Sequence, residues 1–360
     1  MRRQLSGSIV KDNTLRLTWP IGESVFLALG VLVVLSGALE VLARTDFART
    51  HLPPPSVGSS HNQFEAKLAA LDALANEEGH IECIVLGSSM VYRGFDPEAY
   101  DRGIQARTGQ SMSCFNFGVR AFTASEAGLL ARVLVDKYQP RVLIYGISVR
   151  DFDDDFGASA DRALMGIPWM QYYQGNPSLA GWLSHHSRAY GFYLTLVSGY
   201  DSGNWSSHRK RVEGMSVRRG YGPQKPLGQL PEIPPGVRRR LGDFEPSADD
   251  WAGLQQIIEL KEQGVQVILV EMPIPSKYVR ILPDGEQTYT TFIGALEAYA
   301  RAKDTPLWLA NSEGLVSDDQ WADHHHLGEN GAAAFSEWLG YQIGGLVRGE
   351  EAASVPRERK

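Results

Sequence analysis

Ser89 and the pair Asp323 and His326 have the residue types and spacing that nucleophilic chemistry requires. A serine hydroxyl becomes a nucleophile when a histidine accepts its proton, and the histidine needs a carboxylate that fixes its tautomer. Asp323 lies three residues before His326, so one tight turn can bring the carboxylate to the imidazole. Small residues around Ser89 leave room for backbone amides to approach an oxyanion. We therefore predict Ser89 as nucleophile, His326 as base and Asp323 as the partner of His326.

The same polar residues also have structural or metal-binding interpretations. Ser88 and Ser89 are typical helix caps. The adjacent histidines at 324–326 suggest a metal site, but neighbouring side chains diverge and no second cluster has the spacing that zinc prefers. Residues 153–155 lack the glycine and the terminal glutamate of a calcium loop, which favours a solvated acidic turn. We predict neither a metal nor a cofactor.

Continuous apolar runs alternate with helical patterns along most of the chain. Runs that predict strands lie at 81–86, 113–117, 142–147, 264–270 and 306–310. Patterns that predict helices lie at 64–76, from Asp96-Pro97 onward, and at 125–138, 179–197, 248–263, 289–302 and 331–346. Continuous apolar strands between helices are typical of a parallel sheet covered on both faces. We expect a flavodoxin-like three-layer α/β/α fold with a mainly parallel five-stranded sheet, which would bind ligands at the carboxyl ends of its strands.

The composition of the chain is that of a globular protein and excludes several function classes. Of its 360 residues, 43% are hydrophobic and 21% charged, and a net charge of −7 gives no general nucleic-acid signal. Cys83 and Cys114 are too few for a disulfide scaffold and are spaced wrongly for zinc. Each lies four residues before a glycine that ends a predicted strand, so the two can face one another. We expect buried free thiols, with a disulfide as the alternative.

The N-terminal region predicts a membrane anchor. Residues 24–39 carry no charge, and the run extends to 21–43 if Glu23 and Glu40 lie at the interfaces. Four basic residues precede it, which by the positive-inside rule makes 1–20 a cytoplasmic N-terminus. We expect an anchor at 21–43, a stiff linker at 44–63 and an extracytoplasmic remainder. A cleaved signal peptide and a buried core helix are the alternatives.

An insertion at 150–247 interrupts the predicted domain, which spans 64–348. The segment 209–240 holds nine Lys or Arg against two Glu. A disordered stretch is the interpretation we favour, ahead of attraction to anionic lipid or polysaccharide. We interpret the insertion as a lid or basic arm, and 349–360 as a disordered tail.

Four short segments resemble the conserved blocks of the SGNH (GDSL-type) hydrolase superfamily. The blocks are Gly87-Ser88-Ser89, Gly118, Gly146-Ile147-Ser148 and the stretch from Asp323 to Gly331, which reads DHHHLGENG. The resemblance covers roughly residues 80–150 and 264–346. With the predicted anchor and the segment Arg93-Gly94-Phe95-Asp96-Pro97, it is similar to a bacterial membrane-anchored branch that includes alginate-acetylation and teichoic-acid D-alanylation proteins.

The resemblance implies a serine esterase or O-acyltransferase that acts on acyl groups of a cell-envelope or exported polysaccharide. It implies that Gly118 and Ser148 lie at the oxyanion, where Ser148 replaces the family's asparagine. We predict Arg150, Asn116 and Arg93 as substrate-binding residues, with an ion pair to the adjacent aspartates as the alternative for Arg150.

The family's membrane-anchored branch also implies a membrane-bound O-acyltransferase as a possible partner. The rival interpretation of the whole chain is a catalytically weak or inactive module that binds glycan or scaffolds such a complex. The replacement at Ser148 favours this rival.

Overall fold

The computed structural model describes residues 21–153, 164–197 and 205–347 and divides into two units, Met1–Leu52 and Pro53–Lys360. The first unit contains helices α1 (Ile21–Ala43) and α2 (Asp46–His51). Its segment Ser24–Ala43 is long and apolar enough to cross a membrane, a property that signal sequences share. The predicted cytoplasmic N-terminus at 1–20 and the predicted tail at 349–360 lie outside the described residues.

The second unit is built on a five-stranded sheet in which every pair of neighbouring strands is parallel. Its strands are β1 (Cys83–Gly87), β2 (Cys114–Gly118), β3 (Val142–Ile147), β4 (Gln266–Glu271) and β5 (Leu307–Leu309). Their spatial order is β2-β1-β3-β4-β5. This is the flavodoxin-like order, so the predicted α/β fold class is confirmed.

Helices surround the sheet. Before β3 they are α3 (Asn62–Glu78), α4 (Ser89–Gly94), α5 (Pro97–Thr108) and α6 (Ala124–Tyr138). In the insertion they are α7 (Pro168–Tyr173), α8 (Leu179–His186), α9 (Arg188–Val197), α10 (Trp205–Val217) and α11 (Pro235–Gly242). The remainder are α12 (Ala248–Glu259), α13 (Ser276–Val279), α14 (Glu286–Ala302) and α15 (Glu329–Val347). The single helix predicted at 179–197 is therefore two helices, separated at Ser187, which caps the first.

The two cysteines are bonded to each other, so the expectation of free thiols is wrong. Parallel pairing of β1 with β2 places Cys83 opposite Cys114, with their Cα atoms 4.4 Å apart, and a disulfide joins them. Both residues are fully buried in the core. The register is the one that the equal spacing of the cysteines from Gly87 and Gly118 indicated, and the disulfide is the alternative that the sequence left open.

The basic part of the insertion is folded, which corrects the expectation of disorder. Helix α10 packs against α3, and Tyr221, Leu230 and Leu241 are buried. The segment that follows α10 lies along β2, where the Arg219 carbonyl accepts a hydrogen bond from the Asn116 amide at 2.8 Å. Part of the chain at 209–240 therefore contributes to the core.

The predicted acidic turn and linker also differ from expectation. Asp151 and Asp153 are buried rather than solvated, and residues 154 and 155 lie outside the described residues. The predicted linker is docked from Pro53 onward, because the Ser56 amide donates to the Gly191 carbonyl at 3.1 Å and to Thr195 Oγ1 at 3.0 Å. The second unit accordingly begins near Pro53 rather than at residue 64.

Candidate active site

The first strand brings Ser89 to the carboxyl edge of the sheet. Strand β1 ends at Gly87, Ser88 caps α4, and Ser89 is the first residue of that helix. The Ser88 hydroxyl accepts a hydrogen bond from the Met90 amide at 3.3 Å. A Cβ at Gly87 would collide with the Val91 side chain, so glycine is needed for α4 to start this close to the strand. Capping therefore falls to Ser88 and leaves the Ser89 hydroxyl available.

Ser89, His326 and Asp323 form a continuous chain of hydrogen bonds. Ser89 Oγ lies 2.9 Å from His326 Nε2, and His326 Nδ1 lies 2.7 Å from Asp323 Oδ2. With the proton of its neutral ring on Nδ1, His326 donates to Asp323 and leaves Nε2 free to accept the serine proton. The fold thus brings together the three residues predicted as nucleophile, base and base partner, although 237 positions separate Ser89 from His326.

The turn before α15 holds the Asp323 carboxylate in place. Asp323 Oδ1 accepts hydrogen bonds from the backbone amides of His325 and His326, at 2.9 and 2.8 Å. Burial acts to raise the pKa of Asp323, but the hydrogen bond from His326 and the neighbouring imidazoles outweigh it and leave the pKa below its ordinary value. The carboxylate is therefore ionised at neutral pH and can stabilise an imidazolium at His326.

His325 lies behind this turn and contacts Arg150. Arg150 Nη1 is 2.9 Å from His325 Nε2, and the Tyr278 ring stacks on the imidazole with the ring centroids 5.7 Å apart. Burial, followed by the charges of His326 and Arg150, lowers the pKa of His325 well below 6.5. A neutral His325 therefore accepts a hydrogen bond from Arg150 through Nε2.

Arg150 is buried at the end of β3 and also faces a carboxylate. Its Nε lies 3.5 Å from Asp151 Oδ1, which is the ion pair that the sequence offered as the alternative. Burial, only partly offset by Arg150, raises the pKa of Asp151 to about 7. Contact between Arg150 and a substrate stays a prediction.

Ser148 lies at the same edge of the sheet. Its backbone amide donates to Asp151 Oδ2 at 3.2 Å. Its buried hydroxyl lies in a capping box with the Asp151 backbone amide, and among the described residues no acceptor receives a hydrogen bond from this hydroxyl. A hydroxyl of this kind can donate to a ligand, which is what the predicted oxyanion role of Ser148 requires.

Gly118 and Asn116 make hydrogen bonds that hold the structure around β2 together. The Gly118 amide, predicted to face an oxyanion, donates to Asn116 Oδ1 at 3.0 Å. The side-chain nitrogen of Asn116, Nδ2, donates to the carbonyls of Val91 and Phe95, at 2.8 and 2.7 Å. Asn116 is fully buried, and its side chain fastens α4, the helix that begins with the nucleophile candidate, to β2. Substrate binding by Asn116 and the oxyanion role of Gly118 stay predictions.

Arg93 contacts the insertion. Its Nη1 donates to the Gly222 carbonyl at 2.8 Å, and its guanidinium lies 4.5 Å from the centroid of the Tyr92 ring. This contact joins α4 to the segment after α10. Substrate binding by Arg93 stays a prediction.

Two features, at Lys67 and at Ala121, were missed by sequence reasoning. Lys67 is fully buried, and its Nζ donates to the Asn116 and Gly220 carbonyls at 2.6 and 2.7 Å. Ala121, in the loop after β2, has a left-handed backbone with φ of +62°. Backbone conformations that are unusual for an L-residue occur often at functional sites. Neither feature leaves a signal in the sequence, because the first depends on distant partners and the second on loop geometry.

Asp323, His324 and His325 are the described residues that could together hold a metal ion, since their ligand atoms lie within 4.8 Å of one another. Two of these ligand groups already have partners. Asp323 Oδ1 accepts two backbone amides, and the cationic Arg150 lies against His325 Nε2. A guanidinium 2.9 Å from His325 Nε2 opposes a second cation there. The geometry therefore suits hydrogen bonding between these side chains better than it suits a metal ion.

Comparison with known proteins gives distant structural likenesses. No protein-family model and no curated protein sequence matches this chain. A carbohydrate acetylesterase family member from Sinorhizobium meliloti is 11% identical over 75% of this chain and 100% of its own, with a TM-score of 0.35. A lipase/acylhydrolase from Enterococcus faecalis is 13% identical over 74% of this chain and 97% of its own, with a TM-score of 0.34. The inhibitor-bound M. smegmatis aryl esterase is 14% identical over 74% of this chain and 99% of its own, with a TM-score of 0.32.

Proposed function

We propose that this chain is a membrane-anchored serine esterase or O-acyltransferase of SGNH type, with its second unit outside the cytoplasm. The observation that carries the proposal is the hydrogen-bond chain from Ser89 Oγ through His326 to Asp323. This arrangement activates a hydroxyl for attack on an acyl carbonyl.

The reaction proceeds in two halves at Ser89. His326 Nε2 takes the proton from Ser89 Oγ as the oxygen bonds to the acyl carbon, and Asp323 stabilises the imidazolium that forms. The imidazolium then returns the proton to the departing alcohol, which leaves an acyl-serine. Water, in an esterase, or an acceptor hydroxyl, in a transferase, then loses its proton to His326 as its oxygen bonds to the acyl carbon. His326 returns this proton to Ser89 Oγ as the bond between the acyl carbon and Ser89 breaks.

Charge that develops on the carbonyl oxygen needs hydrogen-bond donors. The Ser89 amide at the start of α4 and the Ser148 hydroxyl, whose proton has no acceptor among the described residues, are the donors that we assign to it. A serine hydroxyl reaches less far than the asparagine amide of the family, and loss of one such donor costs ~2.7–4 kcal/mol in the transition state. We therefore expect slow turnover of simple esters and faster reaction with a substrate that other contacts hold in place.

The substrate that we propose is an acylated polysaccharide of the cell envelope or an exported one, with a membrane-bound O-acyltransferase as the partner. The family resemblance and the apolar helix α1 support this assignment. The buried Cys83–Cys114 disulfide supports an extracytoplasmic second unit, since disulfides persist in oxidising compartments.

The activity is tested with a small acyl ester and an O-acetylated polysaccharide, each with and without an acceptor. Wild-type protein should release or transfer the acyl group, and Ser89→Ala should abolish both reactions. Ser88→Ala is the matched control. Because Ser88 caps α4, this variant should retain most of the activity. Equal activity of Ser89→Ala and wild-type protein would overturn the assignment.

The non-catalytic glycan-binding or scaffolding module is a second candidate. The occupied Gly118 amide favours it, because one backbone donor expected at the oxyanion is engaged elsewhere. Binding of the polysaccharide by both wild-type protein and Ser89→Ala, with no acyl release by either, would establish this candidate instead.

A further inference from the structure

We propose that an exposed apolar face on α8 and α9 lies in the surface of the membrane that holds the protein's own anchor. We call this face the apolar patch; its residues are Leu179, Trp182, Tyr193, Leu196 and Val197. The inference goes beyond the proposed reaction and depends on only one part of the proposed function, the role of α1 as a membrane anchor.

The apolar patch is where exposed apolar side chains of the second unit concentrate. Eight large apolar side chains among its described residues are exposed, and five of them belong to the patch. Their exposed fractions run from 48% for Trp182 to 74% for Leu179. A concentration of exposed apolar side chains on two consecutive helices favours an interaction site for protein or membrane.

The composition of these two helices suits a lipid interface. Residues 179–197 read LAGWLSHHSRAYGFYLTLV, with Arg188 as the one charged residue and no acidic side chain. Trp and Tyr are enriched where membranes meet water. The break at Ser187 leaves two helices of 8 and 10 residues, each too short to cross a bilayer. Helices that lie in the plane of a membrane bury their apolar side ~5–10 Å into the boundary between headgroups and acyl chains.

We call residues 44–56, which connect α1 to the folded part of the second unit, the tether. Contacts at the start of the second unit place α9 next to the C-terminal end of the tether. The Pro54 carbonyl accepts a hydrogen bond from Thr195 Oγ1 at 3.0 Å, and the Ser56 amide donates to the Gly191 carbonyl. A Cβ at Gly191 would lie 2.7 Å from Pro55 Cβ, so the tether runs directly along this side of α9. Gly191 and Thr195 face the tether, whereas Tyr193, Leu196 and Val197 are exposed.

The length of the tether limits how far α9 can be from the bilayer. Ten residues separate the end of α1 at Ala43 from Pro54, and six of them form α2. A six-residue helix with the remaining residues extended spans at most roughly 25–30 Å. Two helices without acidic residues, at the end of so short a tether, favour lipid over a soluble partner.

Spin labels on single introduced cysteines test the inference in the full-length protein reconstituted in phosphatidylcholine–phosphatidylglycerol vesicles. The native cysteines are buried and bonded, so they do not compete for the label. Trp182→Cys and Tyr193→Cys probe the patch, and both side chains are exposed, so neither change should prevent folding. Gln255→Cys on the exposed side of α12 is the matched control, and Val33→Cys reports insertion of α1.

We expect labels at 182 and 193 to be accessible to dissolved oxygen and severalfold less accessible to a water-soluble nickel reagent than the label at 255. Patch labels that the nickel reagent reaches as readily as it reaches 255 would overturn the inference. Low accessibility to both reagents would also overturn it, because the patch would then be covered by protein. The label at 33 separates these outcomes from failure of the anchor, since lipid exposure at 33 with water exposure at 182 refutes the patch alone.

Discussion

Removal of the Cys83–Cys114 disulfide should destabilise the second unit by a predictable amount. The bond joins two adjacent strands and closes a loop with a sequence separation of 31. The chain-entropy relation for a loop of this length gives a loss of ~3.7 kcal/mol for the double variant Cys83→Ala/Cys114→Ala. Folded domains are stable by only about 5–15 kcal/mol, so the loss should be large and easily measured.

Urea denaturation of the full chain in detergent, followed by tryptophan fluorescence, measures this loss. Because the disulfide is fully buried, a reductant acts on it once the protein unfolds. With reductant present, the unfolding free energy of the wild-type protein should therefore drop to that of the double variant. The unfolding free energy of the double variant should not change with reductant. The double variant is therefore the control for nonspecific effects of the reductant.

A different result would refute the reasoning. If the double variant and the wild-type protein differ by less than about 1 kcal/mol, which exceeds the usual extrapolation error, the loop-closure argument does not hold. Two reactive thiols in protein isolated and denatured without reductant would show that the cysteines are unpaired and would remove the support for an oxidising compartment.

Three further changes probe how the rest of the unit is held together, each followed by urea denaturation. Lys67→Met leaves buried carbonyl oxygens without a donor and should cost ~2–4 kcal/mol; a loss below half of that would contradict a structural role for Lys67. Gly118→Ala puts a Cβ against the Tyr92 backbone and should cost ~1–3 kcal/mol, whereas Gly214→Ala, in an open helical position, should gain ~0.5–1 kcal/mol. Burial raises the pKa of Glu65 from 4.5 to about 7, so the folded state binds the Glu65 proton more tightly than the unfolded state does. The stability that this proton contributes is lost as the pH rises from 4.5 to about 7. Glu65→Gln should flatten this pH dependence of the unfolding free energy, and an unchanged pH profile would refute the argument.

The sheet and most helices could be predicted from the sequence because their signals are local. A strand buried on both faces is apolar throughout, and the run at 142–147 coincides with β3. The cap and the proline at Asp96-Pro97 mark the start of α5, where the Asp96 carboxylate accepts the Glu98 amide at 3.0 Å. The three-residue spacing of Asp323 and His326 predicts the turn in which their side chains meet.

Features that depend on distant partners could not be predicted in this way. Lys67 lies in a helical pattern typical of a solvated lysine, yet its partner Gly220 is 153 positions away. The contact between Arg150 and His325 spans 175 positions. The Gly, Pro and Ser content of the basic part of the insertion predicts disorder, whereas the contacts that bury parts of it are made by residues from elsewhere in the chain.

Labelling with a fluorophosphonate is the most direct test of the catalytic assignment, because this reagent reacts with a serine that a neighbouring base activates. Full-length wild-type protein in membranes should carry one adduct on the peptide that contains Ser89, and Ser89→Ala should carry none. His326→Ala should label far more slowly while its urea midpoint stays close to that of wild-type protein. An adduct on another residue, or wild-type labelling by Ser89→Ala, would contradict the account.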